Sequence, residues 1–156
     1  MLKSADSKEL RILAGLEAGQ DLPDTNVFMT LDTTDKVLET ITDPLDWYTK
    51  ESPWGEPVVN PSHMVQPMML TPILPDGRKI EAGGFFGATE IRNVDGPIKI
   101  GVPYKASGKL ICVGASPKTE YFWYDSTLKE KENGKVIAEM RHMTRFMKAS
   151  SPLYLE

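Results

Sequence analysis

Cysteine is nearly absent: Cys112 stands alone, so no internal disulfide staples the chain. Histidine is almost as scarce, and neither His63 nor His142 has a second ligand at metal-site spacing, so no metal is expected. No dense Lys/Arg patch interrupts the acidic balance, 18 basic against 22 acidic residues, which removes the usual footprint of phosphate-backbone binding. A nucleic-acid partner is therefore not expected. No apolar run approaches the roughly 20 residues that span a bilayer, and the opening MLKSADSKEL lacks the apolar stretch of a secretory signal. These absences point to a cytoplasmic protein with no membrane partner. Gly-rich loops of the dinucleotide or P-loop type are also missing, so no cofactor is expected; GGFFG lies in strand context, where glycine marks a bend or bulge.

What is present suits one ordinary domain. A chain of 156 residues can bury roughly 68 to 70% of its unfolded surface without staples, and 40% hydrophobic with 26% charged residues is average soluble usage. The first part reads as helical and the second as strand-rich, an α+β pattern. In SADSKELRILAGLEAGQ, Asp6 and Glu9 have capping-box spacing, Leu10, Leu13 and Leu16 recur at helical intervals, and Gly19 can end the helix. NVFMTL at 26–31 reads as a short strand. TTDKVLETI sets Val37, Leu38 and Ile41 behind a Thr34 cap, and TDPLDWY repeats the scheme with Pro44 in its first turn.

Residues 54–70, WGEPVVNPSHMVQPMML, combine a helix-start signal with one of the two histidines. Asn60 is the expected N-cap and Pro61 the first helical residue, followed by Met64, Val65, Met68 and Met69 on one buried side. Pro67 has no amide to offer the carbonyl of His63, which predicts a bend or early break. Beyond residue 78 four long segments, 78–93, 101–114, 118–131 and 135–148, are rich in β-branched and aromatic residues and read as strands of a largely antiparallel sheet. ENG at 132–134 marks a hairpin, and NVDGP at 93–97 a reversal or crossover. In the last segment Val136, Ala138, Met140, His142, Thr144 and Phe146 share one face, which makes His142 a buried core histidine; Cys112 is read as a small core thiol. Tyr121 and Trp123 alternate with Phe122 and Tyr124, so both faces of that strand are expected to be covered.

WGEPVVNPSHMVQPMM followed by IRNVDGPIKIGVPYKASGKLICVG resembles the MaoC-like dehydratases and (R)-specific enoyl-CoA hydratases. The first stretch is similar to the family's Gly-x-Pro entry into its central helix, the second to its Arg, Gly-Pro, Gly and Tyr-bearing strand pair. The resemblance implies a hot-dog fold, a curved antiparallel sheet wrapped around one central helix. It covers residues 44–147 as the core of a single domain 1–156, with 1–43 as an N-terminal helical extension. It also implies an acyl-CoA or similar thioester as ligand, and pairing into a homodimer or heterodimer, since an open sheet leaves strand edges to cover.

The family's hydratases carry Asp-x-Asn-Pro-x-His, and VVNPSH supplies Asn60, Pro61 and His63, with Val58 where the acid stands. Hydration of an enoyl thioester needs a base for water and an acid for the α-carbon. His63 is the catalytic candidate, Glu56 its candidate carboxylate partner, and the amides of the helix start would hold a developing oxyanion. Asn60 and Ser62 beside it, with Tyr48 and Trp54 upstream, are the candidate substrate-binding residues; Trp47 belongs to the same aromatic cluster. Three activities stay open: hydratase or dehydratase, a non-catalytic binding module or partner subunit that has lost the Asp-His dyad, and acyl-CoA thioesterase.

Overall fold

The computed structural model describes residues 10–155. Five strands form one antiparallel sheet: β1 (Asp21–Phe28), β2 (Gly84–Asn93), β3 (Pro103–Ala115), β4 (Thr119–Glu130) and β5 (Val136–Met147), in the order β1-β3-β4-β5-β2. The four long strands match the four segments that alternation predicts, with β3 running one residue past its segment, to Ala115. ENG closes the β4–β5 hairpin, with Gly134 at φ +71°, a conformation that favours glycine. NVDGP is a crossover: β2 is an edge strand beside β5, so the chain must pass back across the sheet to reach β3. On its way, residues 98–100 pair with 57–59, the Val59 amide donating to the Ile98 carbonyl (2.8 Å) and the Ile100 amide to Pro57 (2.7 Å).

One face of the sheet carries the core. Tyr104, Ala106, Leu110, Phe122, Tyr124, Leu128, Met140 and Phe146 are buried there against Met68, Leu70 and Leu74 of the middle segment. Gly108 marks the closest crossing: a Cβ there would lie 2.6 Å from Leu70 Cδ1 and 2.5 Å from the Asp125 carbonyl. Val58 is buried, its amide donating to the Trp47 carbonyl (2.9 Å).

The helical expectations need correction in four places. In 10–19 the chain forms turns instead of a helix. Leu10, Leu13 and Leu16 are buried as their spacing suggests, but the amides of Arg11, Ile12 and Leu13 donate to the Glu120 carboxylate (2.8, 3.1 and 2.8 Å), and Gly15 at φ +82° reverses the chain. Asp6 and Glu9 lie outside the described residues. Helix α1 (Leu31–Leu38) starts three residues before Thr34, with Thr30 at its N-cap and the Thr30 amide donating to Thr33 Oγ1 (3.1 Å); Thr34 is buried within it. TDPLDWY shrinks to a single 3-10 turn, Asp46–Tyr48. Of the short strand read at 26–31, only 26–28 are strand, the end of the longer β1 that pairs with β3, and Leu31 already begins α1.

The central segment is the fourth correction. Asn60 caps and Pro61 begins the first turn as expected, but the chain forms two 3-10 turns, Pro61–His63 and Gln66–Met68, in place of one α-helix. Pro67 accounts for the break, because its ring displaces the carbonyl of residue 63 and removes the amide that would have bound it. The leftover donors close shorter loops, Met64 to Pro61 (3.4 Å) and Met68 to Val65 (3.0 Å).

Candidate functional site

Asn60 is fully inside the protein, and its Oδ1 accepts two hydrogen bonds, from the His63 amide (3.1 Å) and from Ser62 Oγ (2.6 Å). Both expected ligand-binding groups, Asn60 and Ser62, are thus engaged with each other in building the turn. The turn delivers His63 to a cavity of about 430 Å³ whose wall includes Val27, Met29, Asp32, Lys36, His63 and Gln66. His63 Nδ1 is buried without a hydrogen-bond partner, and so is Asn60 Nδ2. A three-residue 3-10 turn aligns too few peptides to act as the oxyanion-holding helix start expected from the sequence.

Glu56 is not brought to His63. Its carboxylate takes an ion pair with Lys99 at 2.8 Å, half exposed, and the hydrogen bond from Lys99 is the main reason its carboxyl is held below the usual range. Lys99 is held in turn by the crossover pairing, its amide donating to the Tyr104 hydroxyl (2.8 Å), which burial pushes up to about 12. Trp54 sits on the turn closed by Ser52 and Gly55, whose amides and carbonyls bond reciprocally (3.1 and 2.9 Å). It meets Trp47 edge-on, ring centroids 5.9 Å apart, and both indoles are largely exposed. Tyr48 is half-buried in the turn before them. None of these three aromatic residues lines the cavity beside His63.

Sequence reading missed the groups that do share that cavity, Asp32 and Lys36 of α1. Their i,i+4 spacing puts them on one side of the helix, but nothing local says which partner that side meets. It also missed Glu120, a fully buried carboxylate that gathers three amides and the Tyr154 hydroxyl (2.6 Å). The phenol of Tyr154 is pushed up to about 12, first by burial and then by that carboxylate.

A second cavity, about 590 Å³, opens between residues 69–80 and the core face near the β2 edge. Its walls are mainly apolar, with Met69, Ile73, Phe85, Phe86, Phe122 and Phe146 among them. His142 lies behind Phe86, their rings edge to face at 4.7 Å, and is buried as its strand alternation predicts. Burial lowers its pKa below the ordinary imidazole range. Cys112 is buried, as expected of a core thiol. Among the described residues no three His, Cys, Asp or Glu side chains converge as metal ligands, and no helix is long and apolar enough to cross a membrane.

No family model matches the chain, and neither does any curated protein. Solved structures do match in fold. A monoamine oxidase regulatory protein from Archaeoglobus fulgidus superposes with a TM-score of 0.67 at 14% identity, over 86% of this chain and 93% of that one. The MaoC-like dehydratase from Rhodospirillum rubrum gives 0.58 at 15%, over 85% and 93%. The HadBC complex of Mycobacterium tuberculosis, a 3R-hydroxyacyl-ACP dehydratase, gives 0.63 at 9%, over 82% and 96%. The chain has the hot-dog fold.

Proposed function

We propose that this chain is an acyl-thioester-binding hot-dog protein of the MaoC-like hydratase/dehydratase group that lacks the group's own acid-base pair, and that it acts as a binding module or as the partner of an active subunit. The observation that carries this reading is the fate of the carboxylate. Val58 is packed into the core, and Glu56 is spent on Lys99, so His63 keeps a free buried nitrogen but neither of these acids. A single imidazole can orient a thioester carbonyl by one hydrogen bond; it cannot both activate water and protonate carbon. Lys36, exposed at the same cavity, is suited to an anionic group on the ligand.

Pairing belongs to the same proposal. β1 and β2 are open edges, and β2 exposes Phe85 and Phe86, an arrangement that a second strand edge would cover. The two-protein HadBC assembly with this fold supports such pairing, with a like or an unlike chain. A cytoplasmic setting fits a chain whose single cysteine, Cys112, is buried.

Asp32 supports a second reading, a working hydratase in which α1 supplies the carboxylate, because it lines the cavity that His63 enters. Purified protein incubated with crotonyl-CoA and octanoyl-CoA separates the two. Saturable binding by calorimetry without hydration or hydrolysis supports the binding module. Hydration that falls about 10²- to 10⁴-fold in both Asp32→Asn and His63→Gln replaces it with the enzyme. Thioester hydrolysis that survives in His63→Gln overturns both.

A further inference from the structure

The face of the sheet turned away from the core carries two arginines of β5, Arg141 and Arg145, on the same side of the strand. Each looks across to β4, Arg141 to Asp125 and Arg145 to Tyr121. Arg141 is matched there, its Nε and Nη2 donating to the two Asp125 oxygens at 2.7 and 2.8 Å. Arg145 meets no acid. Its Nε donates to Thr119 Oγ1 (3.2 Å), its Nη2 donates to Thr119 Oγ1 (3.0 Å) and Ser116 Oγ (3.4 Å), and its guanidinium carbon stands 5.5 Å from the centre of the Tyr121 ring. Among the described residues no carboxylate forms an ion pair with Arg145, whereas Arg78, Arg92 and Arg141 each have one. Lys118 on the turn and Lys148 just past β5 are likewise without an acid among those residues, and the Lys148 amide donates to the Lys118 carbonyl (3.0 Å), which keeps the two segments side by side.

The cation is also held in place. A Cβ on Gly87 would lie 2.9 Å from Arg145 Cγ, and one on Gly114 would lie 2.6 Å from the Tyr121 hydroxyl, so glycines on the neighbouring strands let the arginine stem and the tyrosine lie down on the sheet. The turn is closed by the Ser116 amide donating to the Thr119 carbonyl (2.7 Å) and by the Ser116 and Thr119 hydroxyls on each other (2.8 Å), with Thr119 buried. Hydroxyl oxygens satisfy N–H groups without neutralising the charge, and the remaining nitrogen, Nη1, has no acceptor among the described residues. Locking a turn requires only a neutral donor. A fixed, half-buried guanidinium with an open edge is the arrangement that recognises an oxyanion.

We propose that Arg145, on its platform of Tyr121 and beside the turn 116–119, is a binding site for a phosphate group, either free orthophosphate or a phosphomonoester on a larger ligand. Nη1 supplies the open donors. Lys118 and Lys148 add charge around the turn, which favours a phosphate, about −1.5 to −2 near pH 7, over a singly charged carboxylate. The site shares no residue with the linings of the 430 and 590 Å³ cavities. It is also remote from His63: Val27 of that cavity pairs with Tyr104 near the start of β3, and the strand from 104 to 116 is roughly 40 Å long at about 3.3 Å per residue. Pairing at the β2 edge would extend the sheet in its own plane and leave this face open. The inference therefore stands independently of the thioester reading.

The test titrates the full-length protein by calorimetry with sodium phosphate and with O-phospho-L-serine in a fixed chloride background, with sodium acetate as the carboxylate control. Spectra of ¹⁵N-arginine protein follow the Nε–H of Arg145 and Arg141. The expected result is saturable single-site binding, with a shift at Arg145 and none at Arg141. Affinity should weaken about tenfold or more in Arg145→Lys, because lysine keeps the charge but lacks the planar fork, and should stay at the wild-type value in Arg141→Gln. Orthophosphate binding as tightly as phosphoserine, or more tightly, assigns the site to the ion itself; tighter phosphoserine assigns it to the ester on a larger ligand. Absence of saturable binding, acetate binding as tightly as phosphate, or an equal loss in Arg141→Gln and Arg145→Lys overturns the proposal, the last two marking diffuse surface charge. If Arg145→Lys fails to fold, the wild-type spectrum decides alone: an Arg145 Nε–H that phosphate leaves unmoved overturns the site.

Discussion

Two parts of this protein treat their buried polar groups in opposite ways. At one end of the sheet Glu120 is fully buried, yet both carboxylate oxygens are used, by three amides of residues 11–13 and by Tyr154. Around the central turns Asn60 Nδ2 and His63 Nδ1 are buried and unpaired, and so is His142 Nε2 on β5; Ser126 Oγ is the fourth such atom among the described residues. A buried polar atom without a partner costs about 1 to 3 kcal/mol. The Glu120 end is a clamp that ties residues 11–13 and Tyr154 to the sheet. The turns and the β2 edge carry unspent hydrogen-bonding capacity next to cavities, which is what a binding region needs and a purely structural one avoids.

The sharpest way to break the contrast is to remove the clamp. Glu120→Ala strands three amides and a phenol, so unfolding by urea should show a loss of about 3 to 5 kcal/mol, while thioester binding at the folded protein is unchanged. Tyr154→Phe removes one charge-assisted bond of the same group and should lose about 1.5 to 3 kcal/mol. On the binding side, Asn60→Ala removes a cap that has one satisfied and one unsatisfied end; the expected loss is about 0.5 to 2 kcal/mol. His63→Gln should stay within about 0.5 kcal/mol of wild type in stability, and its effect should appear in ligand affinity alone.

The two regions should also respond to pH from opposite sides. Tyr154 and Tyr104 have folded pKa values raised to about 12 from 10. Above pH 10 the unfolded chain loses these protons first, so the stability they confer is complete below pH 10 and is lost as pH rises through about 12. His142 is shifted the other way, held neutral by burial. Below pH 6.5 the unfolded chain gains a proton that the folded one resists, so stability falls as pH drops through that range. Denaturation midpoints measured across pH should therefore show an alkaline arm that Tyr154→Phe reduces and a fall just below pH 6.5 that His142→Gln reduces.

Legibility from sequence followed how local the cause was. Asn60 and Pro61 announced a turn start because cap and proline act within three residues, and Pro67 announced the break for the same reason. The four long strands were legible through alternation, which also put His142 inside. The segment at 10–19 misled: its leucines are buried at the expected spacing, but Glu120, more than a hundred residues away, offers its amides better partners than a helix would. At the candidate site, His63 was visible through its motif, whereas the fate of Glu56 was not, because Lys99 reaches it only through the pairing of 57–59 with 98–100.

The sequence by itself determined the four long strands, their turns, the capped and broken central segment and the single thiol's burial, all set by residue types within a few positions of one another. Tertiary structure alone decided which acid meets which base: Glu56 with Lys99, Asp32 across a cavity from His63, Glu120 with the amides of 11–13, His142 behind Phe86. The physical reason is range. Backbone preference and periodicity act over one turn or two, while a carboxylate or imidazole takes its partner from whatever segment the sheet order carries to it, and that order is the summed result of packing over the whole chain.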